Sequence, residues 1–403
     1  MHKVEKLLQT LAPKGVEFRK LGEVINIFKG KQLNKELLLD YGEYPVMNGG
    51  IHASGYWNEY NTDYPKIIIS QGGASAGYVN YMTSKFWAGA HCYTIELNSE
   101  KLNYKFLYYF LKNSQSILMK SQFGAGIPAL NKADIETLTI PIPPLEIQQE
   151  IVKILDAFTE LNTELNTELK ARKKQYQYYQ NMLLDFNGIH SNHQNAKMSA
   201  KTYPKRLKTL LQTLAPKGVE FRKLGEVCDF QKGKSITKKA VTLGKVPVIS
   251  GGRQPAYYHN EANRSGETIA ISSSGVYAGY VSYWDIPVFL ADSFSVSPKQ
   301  KTLMPKYLFH YLTTQQDAIH ATKSTGGIPH VYSKDLQNFL IPIPPLEVQQ
   351  EIVKILDQFS ILTTDLLAGI PAEIEARKKQ YEYYREKLLT FKPLNPNKEV
   401  KKC

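Results

Sequence analysis

The chain has 403 residues, of which 42% are hydrophobic, 11% aromatic and 22% charged. This composition excludes intrinsic disorder and the collagen-like and low-complexity classes. The length suits two or three domains, each able to bury its own core. Fifty Lys and Arg against 37 Asp and Glu leave a net charge of +13 at pH 7. That excess favours an anionic partner, of which nucleic acid is the commonest. No apolar run approaches the roughly 20 residues of a membrane helix. The first residues, MHKVEKLLQTLAPKG, lack an apolar signal core. Cys92, Cys228 and Cys403 form neither a zinc spacing nor a disulfide framework, so the expected location is a reducing cytoplasm.

The chain is written twice. Leu7–Val24 (LLQTLAPKGVEFRKLGEV) returns letter for letter at Leu210–Val227. IPIPPLEIQQEIVKILD at Ile140–Asp156 returns at Ile341–Asp357 with Val348 in place of Ile147. ARKKQYQYY at Ala171–Tyr179 returns as ARKKQYEYY at Ala376–Tyr384. A period of about 200 residues is far too long for a solenoid. Between these blocks the halves diverge but stay related: KGK at Lys29–Lys31 answers Lys232–Lys234, and GEYPVMNGG at Gly42–Gly50 answers GKVPVISGG at Gly244–Gly252.

In chain order, residues 18–140 mix short apolar runs with Gly, Asn, Ser and Pro punctuation, which predicts a compact α/β domain. Within it Lys66–Ser70 (KIIIS) reads as a strand and Tyr104–Leu111 as a short aromatic helix. Two successive prolines at Pro143–Pro144 keep the next helix from starting earlier. That helix is long, with apolar residues at Ile151, Ile154, Phe158, Leu161, Leu165 and Leu169. Their steps near 3 and 4 mark a packed seam, which runs on through Tyr176, Tyr179, Leu183 and Phe186. The polar, aperiodic residues 187–206 predict a linker. The second half repeats the plan over 221–341, with a strand at Thr268–Ser272 and a helix at Tyr307–Leu312. Its own long helix carries a seam from Ile352 to Phe391 and is interrupted at Gly369-Ile370-Pro371. The resulting division is 1–144, a helical spacer 145–186, linker 187–206, 207–345, a second spacer 346–391, and a loose tail 392–403. The fold expected is α+β: two α/β domains separated by long helices that pair as an antiparallel coiled coil, with a pseudo-twofold internal duplication.

No catalytic constellation emerges. Gly233-Lys234-Ser235 looks like the end of a phosphate-binding P-loop, but Cys228 stands where its first glycine is required. HExxH and Asp/Asn-Pro-Pro-aromatic motifs are absent. His190 and His193 form an HxxH pair in the polar stretch, where a solvated loop outweighs a metal site. What remains suits binding. Lys29, Lys31, Lys232, Lys234, Arg253 and Lys323 lie among glycines and hydroxyl residues, the chemistry of close approach to phosphates. Side chains suited to base edges are Asn48, Gln71, Tyr78 and Gln122 in the first half, and Ser250, Arg253, Gln254, Ser273, Ser274 and Tyr280 in the second. Each of them also reads, singly, as an ordinary turn residue. On the spacer helices, Arg172, Lys173, Tyr176, Arg377, Lys378 and Tyr381 are candidates for a partner surface. The basic runs read equally as a solvated helix face, and part of the tyrosine stripe as core.

Two variable domains separated by IPIPPLExQQEIVxILD and ARKKQYxYY closely resemble the specificity subunit of type I restriction-modification enzymes, over nearly the whole chain. The resemblance implies two target recognition domains, each reading half of a bipartite, gapped, asymmetric DNA sequence. It implies helices that set the domains apart and bind two methyltransferase subunits, with restriction subunits where present. It implies a non-catalytic chain without cofactor of its own: S-adenosylmethionine belongs to the methyltransferase, ATP and Mg to the restriction subunit. Thr159–Lys170 reads TELN-TELN-TELK, and similar tetrapeptide repeats in some members set the gap between half-sites. Four residues lengthen a helix by about 6 Å and leave roughly 40° beyond a full turn, against about 3.4 Å and 35° for one base pair. The second spacer is four residues longer between Asp357 and Ala376 than the first is between Asp156 and Ala171, so the two rods are not strictly equivalent. The competing class is a coiled-coil adaptor with two non-DNA binding domains, which the +13 charge and the KGK and GG loops oppose. A self-contained DNA-modifying enzyme is opposed by the missing methyltransferase motif.

Overall fold

A computed structural model describes the chain apart from residues 1, 125, 127, 187–202, 300, 325–326, 365–368 and 395–403. It forms two compact units. Unit 1 is Met1–Asn166 with Ile374–Cys403; unit 2 is Thr167–Glu373.

In unit 1, helix α1 (His2–Leu11) is followed by strands β1 (Glu17–Lys20), β2 (Ile25–Lys29), β3 (Tyr44–Met47), β4 (Gly55–Trp57), β5 (Lys66–Ser70), β6 (Val79–Met82), β7 (Trp87–Ala88) and β8 (Cys92–Leu97). Helices α2 (Tyr104–Asn113), α3 (Gln115–Lys120) and α4 (Lys132–Glu136), strand β9 (Thr139–Ile142) and the 40-residue helix α5 (Leu145–Leu184) complete the first repeat. The main sheet is antiparallel in the order β2-β8-β5-β6, and a smaller one runs β4-β3-β7, with β3 and β7 parallel. The KIIIS run shows why β5 lies between two layers. Successive strand side chains point to opposite faces. Ile67 and Ile69 enter the main core, which α2 and α5 also line, while Ile68 enters a second cluster with Met47, Phe86 and Cys92. Strands β1 and β9 pair antiparallel, Glu17 opposite Ile142, which fixes the chain just before Pro143.

Unit 2 repeats these parts. Helix α6 (Lys205–Leu214), β10 (Glu220–Lys223), the single turn α7 (Leu224–Val227), β11 (Cys228–Lys232), β12 (Val246–Ile249), β13 (Tyr257–His259), β14 (Thr268–Ser272), β15 (Val281–Trp284), β16 (Phe289–Leu290) and β17 (Ser293–Pro298) come first. Then come α8 (Pro305–Thr314), α9 (Gln316–Ala321), α10 (Ser333–Leu336), β18 (Leu340–Ile343), α11 (Leu346–Thr364) and α12 (Ile370–Leu389). The sheet order β11-β17-β14-β15 matches that of unit 1, and Ile269 and Ile271 again take one face while Ala270 takes the other.

Each unit is closed by the end of the spacer helix that follows the other repeat. In unit 1, Leu388 and Leu389 of α12 are buried with Ile151 and Leu155 of α5, and Phe158 meets Tyr381 and Tyr384. Low numbers on one helix face high numbers on the other, so the segments run antiparallel. In unit 2, Leu183 and Leu184 are buried with Ile352 and Leu356, and Tyr179 stacks on Phe359. The seam is as expected, except that Leu362 is exposed and Leu366 lies outside the described residues. The break is real: α11 ends at Thr364 and α12 starts at Ile370, with Pro371 in its first turn, where a missing N–H is tolerated. The repeat-based division cuts the chain elsewhere than the contacts do, since the unit boundaries fall inside the spacer helices. At the edges of the proposed linker and tail, the chain is more ordered than expected. Tyr203 is buried and α6 begins at Lys205, while residues 187–202 lie outside the described residues. Lys392 and Leu394 bond to Val16 through Val16 N–H to Lys392 O at 2.9 Å and Leu394 N–H to Val16 O at 2.9 Å, whereas residues 395–403 lie outside the described residues.

The QQ of the repeated block locks each spacer helix to its unit. Gln148, fully buried, accepts from the Asn103 N–H at 2.7 Å and donates to Lys101 O at 2.8 Å and Pro143 O at 2.6 Å. Gln349 does the same with Met304, Thr302 and Pro344 at 2.9, 2.8 and 2.7 Å. Two helical turns on, Asp156 accepts from Lys105 at 2.8 Å and from Tyr109, and Asp357 from Lys306 at 2.6 Å and from His310 at 3.0 Å.

Gln148→Leu strands three backbone groups and should cost about 2–4 kcal/mol in urea unfolding. Burial works to raise the Asp357 carboxyl, but hydrogen bonds from His310 and Lys306, with the Lys306 charge, outweigh it and hold it below its ordinary 3.8. A depressed folded value stabilises unit 2 above the ordinary carboxylate range, and that stabilisation is lost as pH falls through the folded value. Melting temperatures of wild type and Asp357→Asn should therefore differ at neutral pH and converge as pH falls from the ordinary carboxylate range through the folded value. A constant difference would show that the ionised carboxylate is not the stabilising form.

Candidate nucleic-acid interface

In each unit five loops at the sheet ends knit into one surface. In unit 1, the N–H groups of Gly30 and Lys31 donate to Cys92 O at 2.9 Å and Ala88 O at 2.8 Å, and Gln71 N–H donates to His91 O at 2.8 Å. Gly73 N–H and Leu130 N–H join the 122–130 loop through Pro128 O and Gln71 O, both at 2.8 Å. Gly30 has to be glycine, because a Cβ there would stand 2.2 Å from Gly89 O. Gly77 lies at φ +89°, where a Cβ would stand 2.7 Å from the backbone of Leu118 and Met119.

The same surface is rebuilt in unit 2. Gly233 N–H donates to Ser293 O at 2.8 Å and Lys234 N–H to Leu290 O at 2.9 Å. Ser273 N–H donates to Asp292 O at 3.1 Å, and Val331 N–H to Ser273 O at 2.9 Å. Ser272 Oγ reaches Ser250 O at 3.2 Å. The Gly-Lys pairs are therefore corner residues of a built cluster, and Lys29, Lys31, Lys232 and Lys234 are all exposed on it.

The sequence-predicted residues divide by what their polar atoms do. Asn48 accepts from the His91 N–H at 3.1 Å and Gln122 donates to Ala76 O at 2.7 Å, so both brace loops. Gln71 is half-buried, with its Oε1 buried. Tyr78 is half-buried under Lys112, whose ammonium lies 4.0 Å from the ring centroid. Lys112 itself donates to Val79 O at 2.7 Å and Gln115 Oε1 at 2.8 Å; burial, with Arg385 nearby, pushes it down to about 8. In unit 2, Arg253 and Gln254 are exposed, Ser250, Ser273 and Ser274 are half-buried within the cluster, and Tyr280 lies under Arg253. Lys323 bonds Val276 O at 3.4 Å. The sequence reading did not single out His91, Asp292, Tyr277 or His330, all on the same loops. Asp292 stands where unit 1 has His91, a change visible when the repeats are compared.

The spacer candidates also divide. Arg172 is exposed, bonded to Glu168 and Gln175 of its own helix, and Lys173 and Lys378 are exposed. Arg377 is half-buried and bonds Gln380 at 3.3 Å. Tyr176 and Tyr381, read as partner-facing, instead pack inward, Tyr176 against Phe359 and Tyr381 against Phe158, because helical spacing turns them into the seam. Tyr178 and Tyr383 of the same motifs face solvent, at 62% and 59% exposure.

Burial pushes the Cys92 and Cys228 thiols up to about 12, which leaves neither poised as a nucleophile. Among the described residues no group of three or more His, Cys, Asp or Glu is placed to hold a metal, and no helix is long and apolar enough to cross a membrane. The His190–His193 pair and Cys403 lie outside the described residues.

A family profile described as the type I restriction modification DNA specificity domain matches residues 13–174 and 216–376. A Haemophilus influenzae protein named as a type I restriction enzyme specificity subunit is 33% identical over 405 residues, covering 96% of this chain and 98% of its own. The Escherichia coli EcoR124I/EcoR124II specificity subunit is 30% identical over 433 residues, covering 97% of each. The crystal structure of a type I S subunit from M. genitalium shares the fold with TM-score 0.66 and 24% identity, over 93% of this chain and 96% of that one.

Proposed function

The chain belongs to the type I restriction-modification DNA specificity family, and from that premise we propose that its two units read the two halves of one bipartite, gapped, asymmetric DNA target. The chain is the non-catalytic specificity subunit. Its spacer helices hold two methyltransferase subunits, which carry S-adenosylmethionine and methylate adenine. Restriction subunits, where present, supply ATP- and Mg-dependent chemistry. The observation that supports this reading is one framework built twice with different side chains on its loops. The loop cluster keeps its backbone bonds in both units, yet Asn48, Gln71 and Ile51 of the first become Ser250, Ser273 and Arg253 of the second. Identical scaffolds with different faces suit two unlike half-sites.

Phosphate contacts from exposed lysines position the duplex, and base-edge contacts specify it. Affinity should therefore fall steeply with salt. The testing experiment is single-molecule sequencing for N6-methyladenine with and without the gene. Loss of one two-part, gapped motif on deletion is expected, and an unchanged methylome would overturn the reading. Exchanging residues 25–139 for another recognition domain should alter one half of that motif and leave the other intact. Alteration of both halves would contradict the assignment of one half to each unit.

The TELN stretch lies wholly within α5, its leucines Leu161, Leu165 and Leu169 on the half-buried seam. Deleting Thr163–Asn166 removes one unit of the repeat and keeps this leucine spacing. It shortens the helix by about 6 Å, with a residual rotation of roughly 40°. The expected result is a methylated motif with its gap one base pair shorter; an unaltered gap would rule the spacer function out.

A further inference from the structure

A cation lies over the same tyrosine in both units, but it comes from different elements and is used differently. In unit 1 it is Lys112, whose ammonium is consumed by Val79 O and Gln115 Oε1. In unit 2 the position of Lys112 is Thr313, and the cation is Arg253, from the loop after β12. Its guanidinium lies 4.9 Å from the Tyr277 centroid and 5.6 Å from that of Tyr280. Lying over two rings holds the group in place by cation–π attraction and leaves its N–H fork unspent. Among the described residues Arg253, exposed, has no hydrogen bond or ion pair. A guanidinium held over two rings with its donors unspent is available for a planar acceptor pair.

The same loop cluster carries a carboxylate. Asp292 is exposed and accepts a hydrogen bond from Ser274 Oγ, and its Oδ2 lies 3.8 Å from where a Cβ on Gly251 would stand. A fixed surface carboxylate repels a phosphate, so this part of the cluster does not suit the DNA backbone. It suits an amine. In the major groove guanine offers two acceptors, O6 and N7, and its paired cytosine offers the N4 amine; arginine matches the first and aspartate the second. The corresponding positions of unit 1 are Ile51 and His91, which offer neither a guanidinium nor a carboxylate.

We propose that Arg253 reads a guanine, and Asp292 the amine of the cytosine paired with it, in the half-site recognised by unit 2. This rests on the specificity reading above and adds a base pair to it. The half belonging to unit 2 is the one that survives exchange of residues 25–139. It should contain at least one G·C pair whose identity depends on Arg253. The test uses the full methyltransferase complex and competition binding on the cognate duplex and on duplexes carrying each other pair at that position. Wild type should discriminate by about ten- to hundredfold. Arg253→Ala should bring the four duplexes to within a few fold of one another, and its methylated motif should become degenerate at that position alone. Asp292→Asn should relax the same position. If Arg253→Ala weakens all duplexes equally and keeps the motif, the arginine binds phosphate and the assignment falls while the specificity reading stands. A unit 2 half-site without any G·C pair also overturns it. If no motif depends on the chain, the specificity reading fails first, and this assignment with it.

Discussion

The buried amide of Gln148, repeated at Gln349, is the contact on which each unit's geometry depends. It joins three pieces of backbone that sequence separates: the turn before α2 or α8, the Pro-Pro step, and the first turn of the spacer helix. Only an amide fits, because the site needs an acceptor for one N–H and two donors for two carbonyls; a carboxylate would offer acceptors alone. Full burial raises the stakes of each of these bonds. The helix is thereby held at a fixed angle to the sheet, and the loop cluster at the sheet ends inherits that angle.

Around this lock the two units substitute freely. Tyr109 donates to Asp156 where His310 bonds Asp357, and Asn103 caps α2 by accepting from Lys105 and Phe106 where Pro305 opens α8. These are different solutions to one packing problem, and they leave the backbone alone. The loops behave differently. There the backbone bonds persist and the outward side chains change, which is the pattern of a frame that carries variable chemistry. Positive charge is placed at the glycine corners of both frames, so electrostatic attraction is common to the units while selectivity is particular to each.

Much of the architecture was legible because it was written twice, and because β5 and β14 alternate so plainly between two faces. The interruption at Gly369-Ile370-Pro371 was legible from proline chemistry. The unit boundaries were not, since a continuous seam from Ile151 to Phe186 gives no sign of where one packing partner replaces another. Tyr176 and Tyr178 differ by two residues and by nearly opposite helix faces, and composition cannot choose between them. Asn48 and Gln122 carry base-reading chemistry in the abstract; what spends it is a backbone group brought close by the fold, Ala76 O for Gln122 and the His91 N–H for Asn48. Asp292 carries the wrong sign for a phosphate contact, so charge reasoning from sequence alone does not select it.

Unit 2 is one unbroken stretch of chain, but unit 1 is not. Its core needs Leu388, Leu389 and Phe391, and its Val16 bonds the backbone of Lys392 and Leu394. During synthesis the first repeat therefore emerges without its closing helix and waits for more than 200 residues to follow. The entropy of closing so long a loop grows only slowly with its length, so the delay is temporal more than thermodynamic. Until α12 is made, the apolar stripe of α5 that faces it is open to other partners, as in any intermediate with uncovered core. The order of translation thus makes completion of the first recognition unit a report that the second repeat has been made.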